Sequence, residues 1–421
     1  MDPRVKPGGD ECGFEMMRRS NTRRWLGSVA AVLATTHMAA CSGADTVTLG
    51  AAVQLTGRLA DTGRAYRDAY QFAVDTINEK GGIIRGDAQY RLALKILDSQ
   101  SDSNLAARQH EELAVKDKVN VLLGSYSSFD VLAGAAVAEK HRVPMVQSGG
   151  AASRIFARGN KYVFGTLPSS DDYFRSTIAM LAKLEPKAKT VAIVFGDDPF
   201  DITLAQATDA LLKQAGLEVV LNQQYSERTP NFYNILTLIE SKDPDVILWS
   251  GHEASAVSFI RQAKGRNINP NLLASFTVGV PSASFRAALG KDANYAFGMT
   301  PWLPSERLKD RWFGDASQFA ANYEKKFGYA PDYHAAAAVA AVETVVRAME
   351  AASPFEPNEV RDAIAKVDFD SVYGRIRFGE NGQIALPQTV IQIQDDKVVE
   401  IFTDRLINRP VYPVPAWDKR S

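Results

Sequence analysis

Cysteine is almost missing from this sequence. Of 421 residues only Cys12 and Cys41 are cysteines, so nothing after Cys41 carries a thiol. A disulfide framework, a cysteine-rich zinc site and a cysteine nucleophile are thereby excluded from the body of the chain. An excess of charge is missing too. Lys plus Arg is 48 and Asp plus Glu is 49, a formal net charge of -1. Such a balance offers no bulk electrostatic footprint for nucleic acid or for an anionic membrane surface. Histidine is scarce, five in all, and His37 lies in the N-terminal segment. The catalytic and phosphate-binding signatures are absent as well. There is no Gly-x-Gly-x-x-Gly after the first strand, no phosphate loop, no His-Glu-x-x-His, no calcium loop and no Gly-x-Ser-x-Gly elbow. What is present is ordinary for a folded protein: 46% hydrophobic and 23% charged residues. The length suits two or three domains, and removal of a leader favours two.

The first 44 residues read as that leader. Residues 18–24, RRSNTRR, carry four arginines and no acid, and residues 25–36, WLGSVAAVLATT, form a short apolar run. A basic stretch, an apolar stretch and small residues are the parts of a secretory signal. The run falls well short of the roughly 20 residues that span a bilayer. Met38-Ala39-Ala40-Cys41 resembles a lipobox, which would make Cys41 the acylated N-terminus and the lipid anchor. Ser42-Gly43-Ala44 would instead suit ordinary signal peptidase, releasing the protein from Asp45. Residues 1–15 fit neither a signal nor a fold, which points to a start at Met16 or Met17. The expected location is the periplasm.

From Thr46 onward, apolar strands alternate with helical patterns. Strands are expected at 47–53, 92–97, 119–123 and 143–146, with helices at 64–79, 103–117 and 129–141 between them. The series restarts after Pro168. Strands at 190–195, 218–222, 245–249 and 272–276 alternate with helices at 172–184, 202–215, 232–241, 253–264 and 282–289. Helices at 315–327, 333–351 and 357–367 follow, then strands at 372–378, 388–394 and 397–402. Near-continuous apolar strands between helices imply parallel sheets covered on both faces. The predicted fold is therefore α/β, with two doubly wound, Rossmann-like lobes. The leader is 1–44; lobe 1 takes 45–167 and 303–378, and lobe 2 takes 168–302 and 379–421.

Ligands bind doubly wound sheets at the C-terminal ends of strands. Two consecutive loops there are small and polar: Gly124-Ser125-Tyr126-Ser127-Ser128, and Gln147-Ser148-Gly149-Gly150-Ala151-Ala152-Ser153. Hydroxyls and backbone amides at a helix N-terminus suit a carboxylate. The glycines allow close approach, with amides pointing outward. Turn and capping chemistry is the plainer reading of each loop alone. The second lobe offers Gly196-Asp197-Asp198-Pro199-Phe200, Ser250-Gly251-His252-Glu253 and Thr277-Val278-Gly279. His252 beside Glu253 could form an acid–base pair. With no nucleophile and no metal set to accompany it, catalysis is the less favoured reading, and no catalytic residue, metal or cofactor is assigned. His110 and His141 are expected at the surface.

The order and spacing of several segments resemble the type I periplasmic binding proteins, specifically the branched-chain amino-acid receptors of ABC importers. These are Ala51-Ala52-Val53-Gln54-Leu55-Thr56-Gly57, Asp75-Thr76-Ile77-Asn78-Glu79-Lys80-Gly81-Gly82-Ile83, Asp98-Ser99-Gln100-Ser101-Asp102, Val121-Leu122-Leu123-Gly124 with Ser127-Ser128, Arg158-Gly159 and Ile260-Arg261-Gln262-Ala263. The resemblance covers nearly all of 46–405. It implies two lobes joined by a three-strand hinge that closes on a small ligand, with permease subunits in the membrane as partners. It implies that Ser128 holds a ligand carboxylate and that Gly149 contributes backbone groups. It also implies that Phe200 covers the ligand, that His252 stands for a ligand-facing tyrosine, and that Tyr333 touches ligand near the hinge. Ala151 falls where such receptors carry a hydroxyl, for which Ser148 or Ser153 could substitute. Thr277 falls where they place a glutamate against the α-ammonium. A buried ammonium needs a charged partner, so an ordinary α-amino acid is doubtful unless Glu253 or another acid serves. Ser127, Tyr126 and Trp302 are further candidates. The expected function is an exported solute receptor for an amino acid or a small carboxylate, aromatic ones included. A ligand sensor of the same fold or a secreted enzyme are the alternatives.

Overall fold

The computed structural model describes residues 45–228, 231–305 and 307–420; Cys41 and the rest of the leader lie outside them. The first series of elements is β1 (Asp45–Val53), α1 (Ala60–Glu79), β2 (Ile83–Arg85), β3 (Ala88–Asp98), α2 (Ser103–Glu111), β4 (Val121–Leu123), α3 (Ser128–His141), β5 (Met145–Gln147) and β6 (Val163–Gly165). The second is α4 (Arg175–Leu181), β7 (Thr190–Phe195), α5 (Pro199–Gln214), β8 (Glu218–Gln224), α6 (Tyr233–Lys242), β9 (Val246–Ser250), α7 (Glu253–Gly265), β10 (Leu273–Phe276), α8 (Ala283–Leu289) and β11 (Phe297–Thr300). The last comprises β12 (Lys309–Asp310), β13 (Gly314–Asp315), α9 (Ala316–Phe327), α10 (Tyr333–Ala351), α11 (Pro357–Ile364), β14 (Asp368–Asp370), β15 (Arg375–Arg377), β16 (Thr389–Gln394) and β17 (Lys397–Phe402).

Two sheets organise these elements. One has the order β2-β3-β1-β4-β5-β6 and is parallel except for the β2–β3 hairpin. The other has the order β17-β16-β11-β10-β9-β7-β8 and is parallel from β11 to β8, with β16 and β17 antiparallel at its edge. Strands β4, β5 and β9 are buried at every residue, which is why they read as unbroken apolar runs. The doubly wound α/β architecture expected from the alternation is thus what forms. The chain passes between the sheets three times: after β6, after β11, and between β15 and β16. Before the last passage Gln383 bridges Gly165 at the end of β6.

Helix α10 packs along α1 and against β2 and β5. Its run Ala335–Ala341 is wholly buried, and the small side chains let backbone approach backbone. Strand β15 falls inside the strand expected at 372–378, whereas strands β2, β6, β11 and β14 and the β12–β13 hairpin are not foreseen by the sequence pattern. They are two to four residues long, too short to show a period. One expectation is corrected. His110 is fully buried, not at the surface. Its Nδ1 lies 2.8 Å from the Ala106 carbonyl, and Gly134 of α3 leaves room for its ring. Burial holds that imidazole below its ordinary pKa. Among the described residues no helix is long and apolar enough to cross a membrane.

Candidate functional site

The strand ends of the two sheets face one another across a narrow cavity of about 20 Å³. That is room for about one water, so a larger solute needs the two walls to part. Its lining draws on both series of elements. Tyr126, Ser127, Ser128, Gly149 and Ala151 come from the β4 and β5 ends, and Leu167 and Tyr173 from the first crossing. Phe200, His252 and Val278 come from the β7, β9 and β10 ends, and Tyr333 and His334 from the start of α10.

On the first side the polar groups belong to α3 and its cap. Ser127 caps the helix, its Oγ accepting the Asp130 amide at 3.3 Å. Ser128 Oγ accepts the Ala152 amide at 3.3 Å and so ties the second loop to the first. Gly149 passes so close to the first loop that a Cβ there would lie 1.9 Å from the Ser125 carbonyl oxygen. The amides expected to point outward do not all do so: Gly149 and Gly150 donate to the Gln147 side chain at 3.0 and 2.7 Å. Ser148 sits behind the lining, where its Oγ meets Tyr70 Oη at 2.9 Å and its carbonyl accepts from Tyr66.

On the second side Asp198 caps α5 by accepting the Phe200 amide at 2.9 Å, with Pro199 opening the helix. This fixes Phe200, whose ring meets Tyr173 edge-on at 5.2 Å. Thr277 also sits behind the lining. Its Oγ1 accepts the Gly251 amide at 3.3 Å and braces the loop that carries His252. His252 reaches across the cavity, Nδ1 lying 2.9 Å from Tyr126 Oη. His252 and Glu253 do not pair with each other; Glu253 Oε2 accepts from Ser282 at 2.6 Å. At α10, Asp332 accepts the amides of His334 and Ala335 and the His334 ring at 3.1 Å. Trp302 is a core residue, donating to the Val372 carbonyl at 2.7 Å.

Sequence reasoning did not single out three acids gathered behind His252. Asp198 Oδ2 is 3.6 Å from His252 Nε2, and Glu227 Oε1 accepts the His252 amide at 3.0 Å. Asp201 accepts from the Ser250 hydroxyl. Burial alone would disfavour the imidazolium, but Glu227, Asp198 and Asp201 outweigh it and raise the His252 pKa to about 9. Asp201 is itself pushed well up, by burial first and then by Glu227 and Asp198. Burial and the same acids hold the Tyr126 phenol well above its ordinary range, so it stays protonated. Asp201, Glu227 and His252 bring ligand atoms within 4.8 Å of one another, a set that could hold a metal ion. However, Glu227 is already committed to Tyr225, Ser255 and the His252 amide. The strand-end rule would have pointed to Glu227, but it follows β8, an edge strand.

Residues 46–397 match the family model described as periplasmic binding protein. The chain belongs to that family. It is 26% identical over 401 residues to the Leu/Ile/Val-binding protein homolog 7 of Brucella suis biovar 1 (strain 1330), covering 90% of this chain and 95% of the relative. Among solved structures it is similar to a leucine-binding protein from Thermotoga maritima, with TM-score 0.75, 22% identity, and 86% of this chain and 99% of the other covered. It is also similar to an R. palustris solute-binding protein of an ABC transporter in complex with benzoate, with TM-score 0.74, 17% identity, and 85% and 96% covered.

Proposed function

We propose that this family member is the extracytoplasmic receptor of an ABC importer and takes up a small carboxylate between its lobes. Lobe 1 is residues 45–167 and 303–378, and lobe 2 is 168–302 and 379–421. One observation carries the reading. The cavity joins the hydroxyls of Ser127 and Ser128, at the start of a 14-residue helix, to aromatic and imidazole groups of the opposite sheet. A helix N-terminus with a free hydroxyl proton suits a carboxylate. The rings of Tyr173, Phe200 and Tyr333 suit an apolar or aromatic body. Tyr126, Gly149, Ala151 and His252 complete the enclosure, while Ser148 and Thr277 serve from behind. Export follows the leader, with Cys41 as the lipid anchor and permease subunits as the receiving partner.

A thermal-shift screen of aliphatic and aromatic carboxylates and of amino acids tests this, with calorimetry on the hits. Stabilisation by one class with 1:1 stoichiometry is expected. If no small solute of either class bound, the receptor reading would fail. Stabilisation by branched-chain amino acids alone would remove the preference for a ligand without ammonium.

A further inference from the structure

Three buried acids surround one histidine beside a cavity that, among the described residues, no Asp or Glu lines. Asp198 Oδ2, Asp201 Oδ2 and His252 Nε2 are all buried without a hydrogen-bond partner. That is costly unless charge compensates charge. The Nε2 edge of the ring faces Asp198 at 3.6 Å, so a proton there is favoured. The acids around it raise its pKa to about 9, so near neutrality the ring carries both protons, and its Nδ1–H then lies 2.9 Å from Tyr126 Oη, which accepts. A phenol oxygen that accepts from the ring keeps its own proton for another acceptor.

Ser128 is in the same position: its Oγ accepts the Ala152 amide and keeps its proton, whereas the Ser127 hydroxyl also donates to the Asp130 carboxylate. The polar wall of the cavity therefore presents hydroxyl donors. It offers no carboxylate to an ammonium group.

We propose that Asp198, Asp201 and Glu227 are positioning residues, holding the His252 ring as a double donor so that Tyr126 donates its own proton to the ligand. The site thereby selects solutes that bring only acceptors, carboxylates without an ammonium. The inference rests on the receptor reading and narrows its ligand class. The titratable groups facing His252 from lobe 2 are Asp198, Asp201, Tyr225, Glu227 and Glu253. From lobe 1 they are Tyr126 and His334, with Arg58 4.0 Å from Glu227.

The test uses pairs of probes that differ only in the ammonium: 3-phenylpropanoate against phenylalanine, and 4-methylpentanoate against leucine. Benzoate is added as a third acid. Calorimetry on the whole protein should give at least tenfold tighter binding of the acid in one pair. Nitrogen-detected imidazole spectra at pH 7.5 should show both His252 nitrogens protonated in the wild type. In Asp198→Asn, which keeps the helix cap, the pH midpoint for losing the second proton should fall by a unit or more. Acid binding should move with it. Tyr126→Phe should weaken the acid about tenfold and leave that midpoint in place. The inference is overturned by a neutral His252 at pH 7.5, by a midpoint unmoved in Asp198→Asn, or by an amino acid that binds as tightly as its paired acid. A stoichiometric divalent ion, zinc or manganese, lost in Asp201→Asn would also overturn it, since the acids would then be ligands. Tight amino-acid binding leaves the receptor reading standing. Binding of neither member of any pair, nor of any other small solute, removes both.

Discussion

Burial and charge pull His252 in opposite directions, and the balance has a measurable sign. The folded protein binds the ring proton with a pKa of about 9 against an ordinary 6.5. The protonated ring thus adds stability that is complete below pH 6.5 and is lost as pH rises through about 9. A gap of that size corresponds to roughly 3 kcal/mol. Melting temperature measured from pH 6.5 to 9.5 should fall more steeply for the wild type than for His252→Gln. Parallel curves would show that the acids do not charge the ring. Two serines provide a second contrast. Ser128→Ala removes a cavity donor and should weaken the preferred carboxylate about tenfold, the weight of one hydrogen bond to a charged group. Ser148→Ala removes one of the two partners of the Tyr70 hydroxyl, which keeps its bond to the Gly124 carbonyl, and should cost about 1 kcal/mol of stability while leaving affinity unchanged. Calorimetry and denaturant unfolding on both variants separate the two roles. Ser128 was legible from the sequence because it opens a helix after a buried strand. Ser148 and Thr277 sit on equally polar loops, and only side-chain direction separates bracing from lining. Glu227 was hidden for a related reason: it lies at a strand end, but nothing local to residues 225–228 signals that the end of edge strand β8 meets a loop from β9.

Among the elements, long strands such as β7 and β17 were read to the residue, and the shortest were missed. Asp332 caps α10 at its expected start, whereas α5 begins at Pro199, ahead of the expected 202, because Asp198 caps it and Pro199 opens it. The length of a three-residue strand such as β6 is set by its neighbours. The 103–117 helix was expected whole, yet α2 ends at Glu111 and continues as a wider π turn to Lys116. Gly149 shows how two elements fix each other. Its missing side chain lets the β5 loop run against Ser125 and Tyr126, with a Cβ placed 2.6 Å from the Tyr126 Cα. Gly149→Ala must push the two loops apart. We expect a loss of about 1–3 kcal/mol of stability, as for other overpacked sites, together with weaker ligand binding because Tyr126 moves. Gly265→Ala, at an open helix position with nothing within 4 Å of the added Cβ, is the control. It should match or slightly exceed wild-type stability. Equal behaviour of the two variants would contradict the close approach.

For the molecule as a whole, the three passages between the sheets decide what can move. Three passages are few covalent links between two sheets, an arrangement suited to the hinge closure proposed for the two lobes. Polar contacts between the two sides at the site are Tyr126 to His252 at 2.9 Å, the Ser170 amide to the Ala151 carbonyl at 2.8 Å, and Arg58 near Glu227 at 4.0 Å, while apolar packing that includes Ala151, Phe200 and Val278 runs through both sides. A ligand that touches Ser128 on one side and Phe200 on the other adds contacts available only when the units meet. Its differential affinity for the closed form sets how far the population shifts. An open population at equilibrium should therefore compact when a tight carboxylate is added. Small-angle scattering at saturating ligand should show a smaller radius of gyration than without it. Tyr126→Phe, lacking one cross-unit bond, should start more open and need more ligand to reach the same value. If neither ligand nor substitution changed the radius, the Tyr126–His252 bond would be a fixed strut and closure would not be how this protein holds its solute.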